Sequence, residues 1–251
     1  MPDNRDKISA AAELIRKALR PAAFTGAGIS VESGIPPFRG INGLWSKYDP
    51  KFIDIDFFYA DPKSSWAEIK KIFYDFMGKA VPNPAHTALA EMERKGRLEG
   101  IITQNIDNLH QDAGSCVVHK FHGTVKNLVC QKCGKIYPAT KELLDPELPV
   151  CPSCAALLKP DFVFYGEPIN PEVFVRSMAL AQTCDLMIVI GTSGEVMPAC
   201  DIPFQVKRNG GKIIEINTLP STYTDTVSDI YIEARAGEVM PLIEAAVFKG
   251  K

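Results

Sequence analysis

The sequence predicts an α/β protein, a doubly wound parallel (Rossmann-like) sheet with two small modules inserted. Three observations predict it. Asp185 to Ile190 (DLMIVI) is a wholly apolar run, as expected of a strand covered on both faces inside a parallel sheet. Runs of this kind end in small or polar residues and give way to helical periodicity, the alternation that builds α/β folds. Two C-x-x-C pairs, Cys130/Cys133 and Cys151/Cys154, interrupt the alternation with seventeen residues between them. Each such turn presents two thiolates, so the spacing fits one tetrahedral zinc ion in a ribbon.

In chain order, Ile8 to Arg20 reads as an amphipathic helix with Ala11, Leu14, Ile15, Ala18 and Leu19 on one face, stopped by Pro21. Ala22 to Phe24 is a short strand entering Thr25-Gly26-Ala27-Gly28-Ile29-Ser30. Gly26 and Gly28 permit a tight turn and a close approach to a diphosphate at a following helix N-terminus. The third small residue of the dinucleotide fingerprint is replaced by Val31. Ser33 to Trp45, with Pro36-Pro37 among glycines, is a long loop. Phe38, Arg39 and Trp45 within it suit a lid. Residues 52–80 form a helical patch with Phe57, Phe58, Trp66, Ile69, Ile72, Phe73 and Phe76 as apolar positions, either a small module's core or a wall for an apolar substrate. Asn83 caps a helix that begins at Pro84 and runs to Gly96.

The next strand, Gly100 to Ile102, leaves as Thr103, Gln104, Asn105 and Asp107, and His122 follows fifteen residues after Asp107, between Phe121 and Gly123. Ligands of open α/β sheets bind beyond the carboxyl ends of strands. Asn105 and Asp107 as helix caps, with His122 as a core histidine, is the competing reading. The four cysteines offer thiolates alone, so the zinc site is closed and structural; a catalytic zinc keeps an open position. Pro160 to Glu167 (PDFVFYGE) reads as extended and 171–182 as helical. The apolar strand ends in Gly191-Thr192-Ser193-Gly194. A helix from Pro198 to Arg208, a strand from Lys212 to Ile216 ending in Asn217, a strand near Ile230 and a helix from Gly237 close the chain.

The composition narrows the function. With 251 residues, 46% hydrophobic and 23% charged, the chain suits one large domain or a domain carrying insertions. A net charge of −2 supplies no general field for nucleic acid. The charged start (MPDNRDKISA) is not a signal peptide, and no apolar run reaches the ~20 residues of a membrane span. Seven cysteines without an export signal point to a reducing cytoplasm and metal thiolates. Cys116, Cys184 and Cys200 are read as buried.

Taken together, GAGIS at 26–30, GIPPFRG at 34–40, TQNIDNLH at 103–110, FHG at 121–123, the two cysteine pairs, FYGE at 164–167, GTS at 191–193 and EIN at 215–217 resemble the sirtuin family of NAD-dependent protein lysine deacylases. The resemblance spans roughly residues 8 to 245. It implies that residues 1–36, 81–124 and 160–251 form the Rossmann-like NAD-binding domain, 37–80 the cofactor loop and helical module, and 125–159 the zinc ribbon. It implies that Gly26, Ala27, Gly28 and Ser30 serve the diphosphate side and that Phe38, Arg39 and Trp45 close over the nicotinamide ribose. Gln104, Asn105, Ile106 and Asp107 would hold that ribose and the carboxamide. Gly191, Thr192, Ser193, Asn217 and Ala236 would line the adenosine half, and Phe164, Gly166, Glu167, Glu195 and Val196 would meet the substrate peptide as an added strand.

His122 would be the general base, with Asn105 and Arg39 beside it in the reaction. NAD would be consumed as co-substrate, one structural zinc would brace the ribbon, and acyl-lysine proteins or peptides would be the partners. Three departures bear on specificity. Pro37 stands where relatives often carry Asp or Thr, and GTSGEVMPA differs from the commoner run after GTS. The Tyr-x-x-Arg pair of desuccinylating relatives falls on Ile69 and Ile72, or puts Met77 where the arginine belongs, so neutral acyl groups are expected. The alternatives are an NAD-dependent ADP-ribosyltransferase using the same pocket, a dehydrogenase, and a non-enzymatic zinc-ribbon module.

Overall fold

The structure, a computed structural model, describes residues 4–39, 43–76 and 79–249. The chain runs α1 (Asn4–Lys17), β1 (Pro21–Thr25), α2 (Ile55–Ala60), α3 (Pro62–Ile69), α4 (Pro84–Arg94), β2 (Ile101–Thr103), α5 (Leu109–Asp112), β3 (Val118–Lys120), β4 (Gly123–Cys130), β5 (Ile136–Pro138), α6 (Lys141–Leu144), β6 (Leu158–Phe162), α7 (Pro171–Thr183), β7 (Leu186–Ile190), α8 (Asp201–Arg208), β8 (Lys212–Asn217), β9 (Ile230–Glu233) and α9 (Ala236–Phe248). Six strands form one parallel sheet in the order β3-β2-β1-β7-β8-β9, and β5-β4-β6 form a separate antiparallel sheet.

Side chains alternate across the parallel sheet as strand geometry requires. Leu186, Ile188 and Ile190 of β7 pack with α1, α4 and α9, while Met187 and Val189 pack with α7 and α8. Every residue of β1 and β7 is buried, which is why these strands read as unbroken apolar runs. A third core joins the helical module to the antiparallel sheet, with Phe58, Trp66, Ile69, Phe73, Leu128 and Phe162 fully or almost fully buried. Trp66 Nε1 donates to the Leu158 carbonyl at 3.0 Å and so ties the module to β6. Phe57 is only partly buried, the Phe76 side chain is not described, and Gly40, Ile41, Asn42 and Met77 lie outside the described residues.

Four elements differ from the sequence expectation. Helix α1 ends at Lys17 and not at Arg20, because the Asp185 carboxylate accepts the Leu19 and Arg20 amides at 2.7 and 2.9 Å and draws the chain out of the helix. Leu19 is thereby 87% exposed instead of lying on the apolar face. No α-helix follows Gly26. Residues Ala27–Ser33 form a 3-10 helix that ends where Gly34 turns left-handed, at φ 89°. Helix α8 begins at Asp201, after a turn at 198–200 held by i→i+3 bonds, and not at Pro198. The run from Pro160 to Glu167 is extended only in part. Glu167 N–H returns to the Phe164 carbonyl at 3.0 Å, and Gly166, at φ 88°, makes the corner of a β-turn.

Sequence neighbours of β1 lie on one side of it and β7 on the other, so the chain's direction across the sheet switches between β1 and β7. A crevice opens at such a switch point. The two turns beyond these strands meet backbone to backbone: Gly26 N–H donates to the Ile190 carbonyl at 2.9 Å and Gly28 N–H to the Gly191 carbonyl at 2.8 Å. A Cβ on Gly28 would sit 2.5 Å from Gly191 Cα, and one on Gly191, itself at φ 63°, 2.4 Å from Ile29 N. Gly191→Ala is therefore expected to lower unfolding stability by at least about 2 kcal/mol with an unchanged denaturant slope. A loss below about 0.5 kcal/mol in urea titration would show that the turns separate easily.

Candidate active site

A cleft of about 1620 Å³ lies over the carboxyl ends of β1, β2, β7 and β8. Gly26, Ala27, Gly28, Phe38, Arg39, Trp45, Gln104, Asn105, Ile106, His122, Phe164, Gly166, Glu167, Gly191, Thr192, Ser193, Glu195, Val196, Asn217 and Ala236 all line it. Ser30 and Asp107 do not; they stand behind its wall.

Their position explains what Asn105 presents. The Asn105 Nδ2 group donates to the Gly26 carbonyl and to Ser30 Oγ, each at 3.1 Å. A backbone carbonyl can only accept, so the amide orientation is determined and both of its N–H donors are spent. What remains for a ligand is the acceptor Oδ1. Ser30 Oγ donates to Asp107 Oδ2 at 2.7 Å, and Asp107 Oδ1 accepts the Leu109 amide at 3.0 Å. Burial pushes the Asp107 carboxyl above its ordinary value, against the pull of these two hydrogen bonds. Asp107 thus holds the Ser30–Asn105 chain and also accepts the first amide of α5, although the helix cap itself is Asn108, which makes no side-chain capping bond.

His122 is fixed by its backbone neighbour. Its Nδ1 lies 3.0 Å from the Gln104 carbonyl. That oxygen cannot donate, so Nδ1 carries the proton and, in the neutral ring, Nε2 carries the lone pair. Burial lowers the His122 pKa, and the Gln104 bond opposes it in part. A neutral ring with a bare nitrogen is the state a general base needs.

The rest of the rim is built from several elements. Gln104 Nε2 donates to Thr192 Oγ1 at 3.0 Å and Asn217 Nδ2 to the Thr192 carbonyl at 3.1 Å, joining the ends of β2, β7 and β8. Leu44 N–H donates to the Pro37 carbonyl and Trp45 N–H to the Phe38 carbonyl, and the Phe38 and Trp45 rings lie 5.2 Å apart. Arg39 and Glu195 face each other at 3.9 Å across the mouth, both well exposed, a contact worth well under ~1 kcal/mol. The fingerprint glycines serve this architecture directly: their amides are held by β7's turn, so the floor of the cleft is backbone packed on backbone. A Cβ on Gly26 or Gly28 would collide with Gly191 or Thr192 and force these turns apart.

Sequence reasoning missed part of the lining. Ile53 and Phe162 form its apolar wall with Phe73, for which the greasy helical patch was a signal. Leu219 and Pro220 also line it, and no motif marks them.

Away from the cleft, the sulfurs of Cys130, Cys133, Cys151 and Cys154 lie within 4.8 Å of one another, with Cys130 to Cys154 at 3.5 Å and Cys133 to Cys151 at 3.8 Å. Four thiolates about 2.3 Å from one zinc ion would stand about 3.8 Å apart, so the donor set fits that ion. The amides of Cys133 and Lys132 donate to Cys130 Sγ and hold its thiol below the ordinary value. Of the remaining cysteines, Cys184 and Cys200 are buried as expected, but Cys116 is exposed, on the loop that follows Gly114. No helix among the described residues is long and apolar enough to cross a membrane.

The Sir2 family profile matches residues 26–198 of this chain. The chain belongs to the Sir2 family. Among Sir2 relatives, it is 44% identical over 241 residues to an NAD-dependent protein deacylase of Thermococcus kodakarensis, covering 92% of each chain. It is 42% identical over 239 residues to NAD-dependent protein deacetylase 1 of Pyrobaculum aerophilum, covering 94% of this chain and 93% of the relative. Among solved structures it is similar to the ADP ribose complex of a mutant Sir2 homologue, with a TM-score of 0.90 at 39% identity, covering 96% of both chains. It is also similar to Sir2Tm bound to a propionylated peptide, with a TM-score of 0.87 at 33% identity, covering 95% of this chain and 98% of the other.

The buried and half-buried histidines of this Sir2 chain are expected to make its stability pH-dependent. Burial lowers the pKa of His86 to about 4 and depresses His110, His119 and His122 as well. The unfolded chain protonates first, near 6.5, so the stabilisation is complete above that pH and is lost as pH falls toward the folded values. Unfolding free energy is expected to fall from pH 7 to pH 5, with His86 alone accounting for roughly 3 kcal/mol by pH 4. A urea midpoint that does not move between pH 7 and pH 5 would contradict this.

Proposed function

We propose that this chain, an NAD-dependent protein deacylase, uses His122 as its base and removes neutral acyl groups from lysine. The observation that carries the reading is the Gln104 carbonyl on His122 Nδ1, which leaves Nε2 bare in the wall of the cleft. Bound NAD supplies a ribose carbon from which nicotinamide departs when the acyl oxygen of the substrate attacks. Asn105 Oδ1 accepts from a ribose hydroxyl or the carboxamide and holds that carbon against the acyl oxygen, so orientation lowers much of the barrier. His122 Nε2 then takes a proton from a ribose hydroxyl, which allows that oxygen to receive the acyl group. Release of the lysine nitrogen as the free amine consumes one water, so acyl-lysine, NAD and water give nicotinamide, free lysine and O-acyl-ADP-ribose.

The peptide lies between the turn at 164–167 and Glu195–Val196, across the mouth from the lid. Phe38 and Trp45 exclude water from the ribose, and Arg39 closes over it. Adenosine rests against Thr192, Ser193, Asn217 and Ala236. The Rossmann-like segments 1–36, 81–124 and 160–251 supply the cofactor floor, while 37–80 supply the lid and the acyl wall and 125–159 the ribbon. Zinc in the ribbon holds that module and takes no part in the reaction.

The preference for neutral acyl groups follows from the wall. Ile53, Phe73 and Phe162 offer nothing to a carboxylate, and Ile69 and Ile72 are sealed inside the module. The cations that line the cleft among the described residues, Arg39, Lys47 and Arg235, are exposed to solvent. An unpaired acid at the buried end of the acyl site would cost several kcal/mol of desolvation.

Mass spectrometry of acyl-lysine peptides with NAD tests both parts. Native protein is expected to release nicotinamide and form O-acyl-ADP-ribose from acetyl and propionyl peptides, with kcat/KM on a succinyl peptide lower by at least about 100-fold. His122→Ala is expected to lose about 100-fold or more. Nicotinamide release with the peptide made heavier by ADP-ribose would make the chain a transferase instead. Equal rates on succinyl and acetyl peptides would overturn the neutral preference.

A further inference from the structure

Lys159, on β6, is only 3% exposed and does not line the cleft. An ammonium has three N–H donors, and each finds an acceptor: the Pro160 carbonyl at 3.0 Å, the Phe162 carbonyl at 2.6 Å and Glu167 Oε2 at 2.9 Å. The Nζ atom also stands 4.0 Å from the centre of the Phe164 ring. The same Glu167 oxygen accepts the Phe164 N–H at 2.8 Å, and Glu167 N–H returns to the Phe164 carbonyl at 3.0 Å. One buried side chain therefore grips both the end of β6 and the turn beyond it.

These acceptors are all close to Lys159 in the chain. What the network holds is the path of 160–167, not the docking of distant elements. Burying an ammonium is costly unless it is fully paired, and an aliphatic residue would fill the space without that cost. An aliphatic residue would take a donor away from two carbonyls and from Glu167, whose Oε2 would keep only the Phe164 N–H. Phe164, Tyr165, Gly166 and Glu167, whose shape depends on these bonds, all line the cleft. The other face of the turn is already held, since Tyr165 N–H donates to the Ile53 carbonyl and its own carbonyl accepts from Ile55 N–H.

We propose that Lys159 is a positioning residue for the peptide substrate, holding the 164–167 turn through Glu167 in the shape that receives the peptide beside its acyl-lysine. This rests on the reading that the acyl-lysine peptide docks along that turn. It also gives the ribbon a route to the cleft. Leu158, the residue before Lys159, pairs with Cys130, so the strand that carries a zinc-ribbon cysteine sets the register of Lys159.

The test is steady-state kinetics of nicotinamide release, with acetyl-lysine peptide varied at saturating NAD and NAD varied at saturating peptide. Lys159→Met is expected to raise KM for the peptide about tenfold while kcat and KM for NAD change less than about twofold. Glu167→Gln is expected to shift peptide KM in the same direction, and the double variant to be no worse than Lys159→Met alone, because both changes break one linkage. Lys159→Arg should not restore the native KM, since a planar guanidinium cannot reach three acceptors arranged around a point charge. A peptide KM unchanged in Lys159→Met would overturn the proposal, as would parallel changes in kcat and in KM for NAD, or additive losses in the double variant. If Lys159→Met fails to fold by circular dichroism, Lys159→Gln, which keeps a donor in the same space, decides in its place: a rise confined to peptide KM supports the proposal, and an unchanged peptide KM or a rise in both KM values overturns it. Native protein that releases no nicotinamide in response to peptide would overturn the deacylase reading and this proposal together. An active native protein with a native-like Lys159→Met overturns this proposal only.

Discussion

Where β1, β2 and β7 end, the polar groups that leave a buried sheet satisfy one another before any ligand arrives, and the cleft takes its chemistry from what they leave over. The Asn105 amide is tied to the Gly26 carbonyl and Ser30, Ser30 is tied to Asp107, and Gly28 is tied to Gly191. An unmade hydrogen bond at this depth costs about 1–3 kcal/mol, so each of these groups has strong reason to stay where it is. The consequence is selective. Asn105 keeps only an acceptor for the cleft, and His122, bonded through Nδ1 to Gln104, keeps only a bare Nε2.

The two sides of the cleft do different physical work. The sheet side is rigid and polar, set by backbone contacts that leave no room for a Cβ. The other side combines an apolar wall from the helical module with the rings of Phe38 and Trp45, which pack on each other and, through Trp45, edge-on against Phe52. The proposed reaction would benefit from this division, because rigid groups orient while the apolar side keeps bulk solvent out. The four cysteines stand outside it, on a sheet that shares its core with the helical module and runs toward the cleft through β6.

Much of the fold was legible in the sequence because parallel strands must be apolar on both faces. β7 reads as LMIVI for the same reason that Ile188 and Met187 face different helical layers. The misread boundaries trace to side-chain partners that local pattern does not encode: distant Asp185 captures two amides that would have extended α1, and Glu167 in the turn at 164–167 pairs with Lys159, which reads as an ordinary strand residue. Motif and spacing brought the site residues together, yet they carried no information on which of them face a ligand. Ser30 and Asp107 share motifs with cleft residues but stand behind Asn105, because facing is decided by tertiary hydrogen bonds. Leu219 and Pro220 reach the cleft by loop path alone, which no local pattern encodes.

The tautomer of His122 tests most directly whether backbone satisfaction dictates which nitrogen it offers to the cleft. Nitrogen NMR of the ¹⁵N-histidine-labelled protein near pH 7.5, with the His122 signals assigned by their loss in His122→Ala, reads it without any ligand. A protonated Nδ1 and an unprotonated Nε2 in a neutral ring are the expected result. A proton on Nε2, or a ring still charged at that pH, would contradict it.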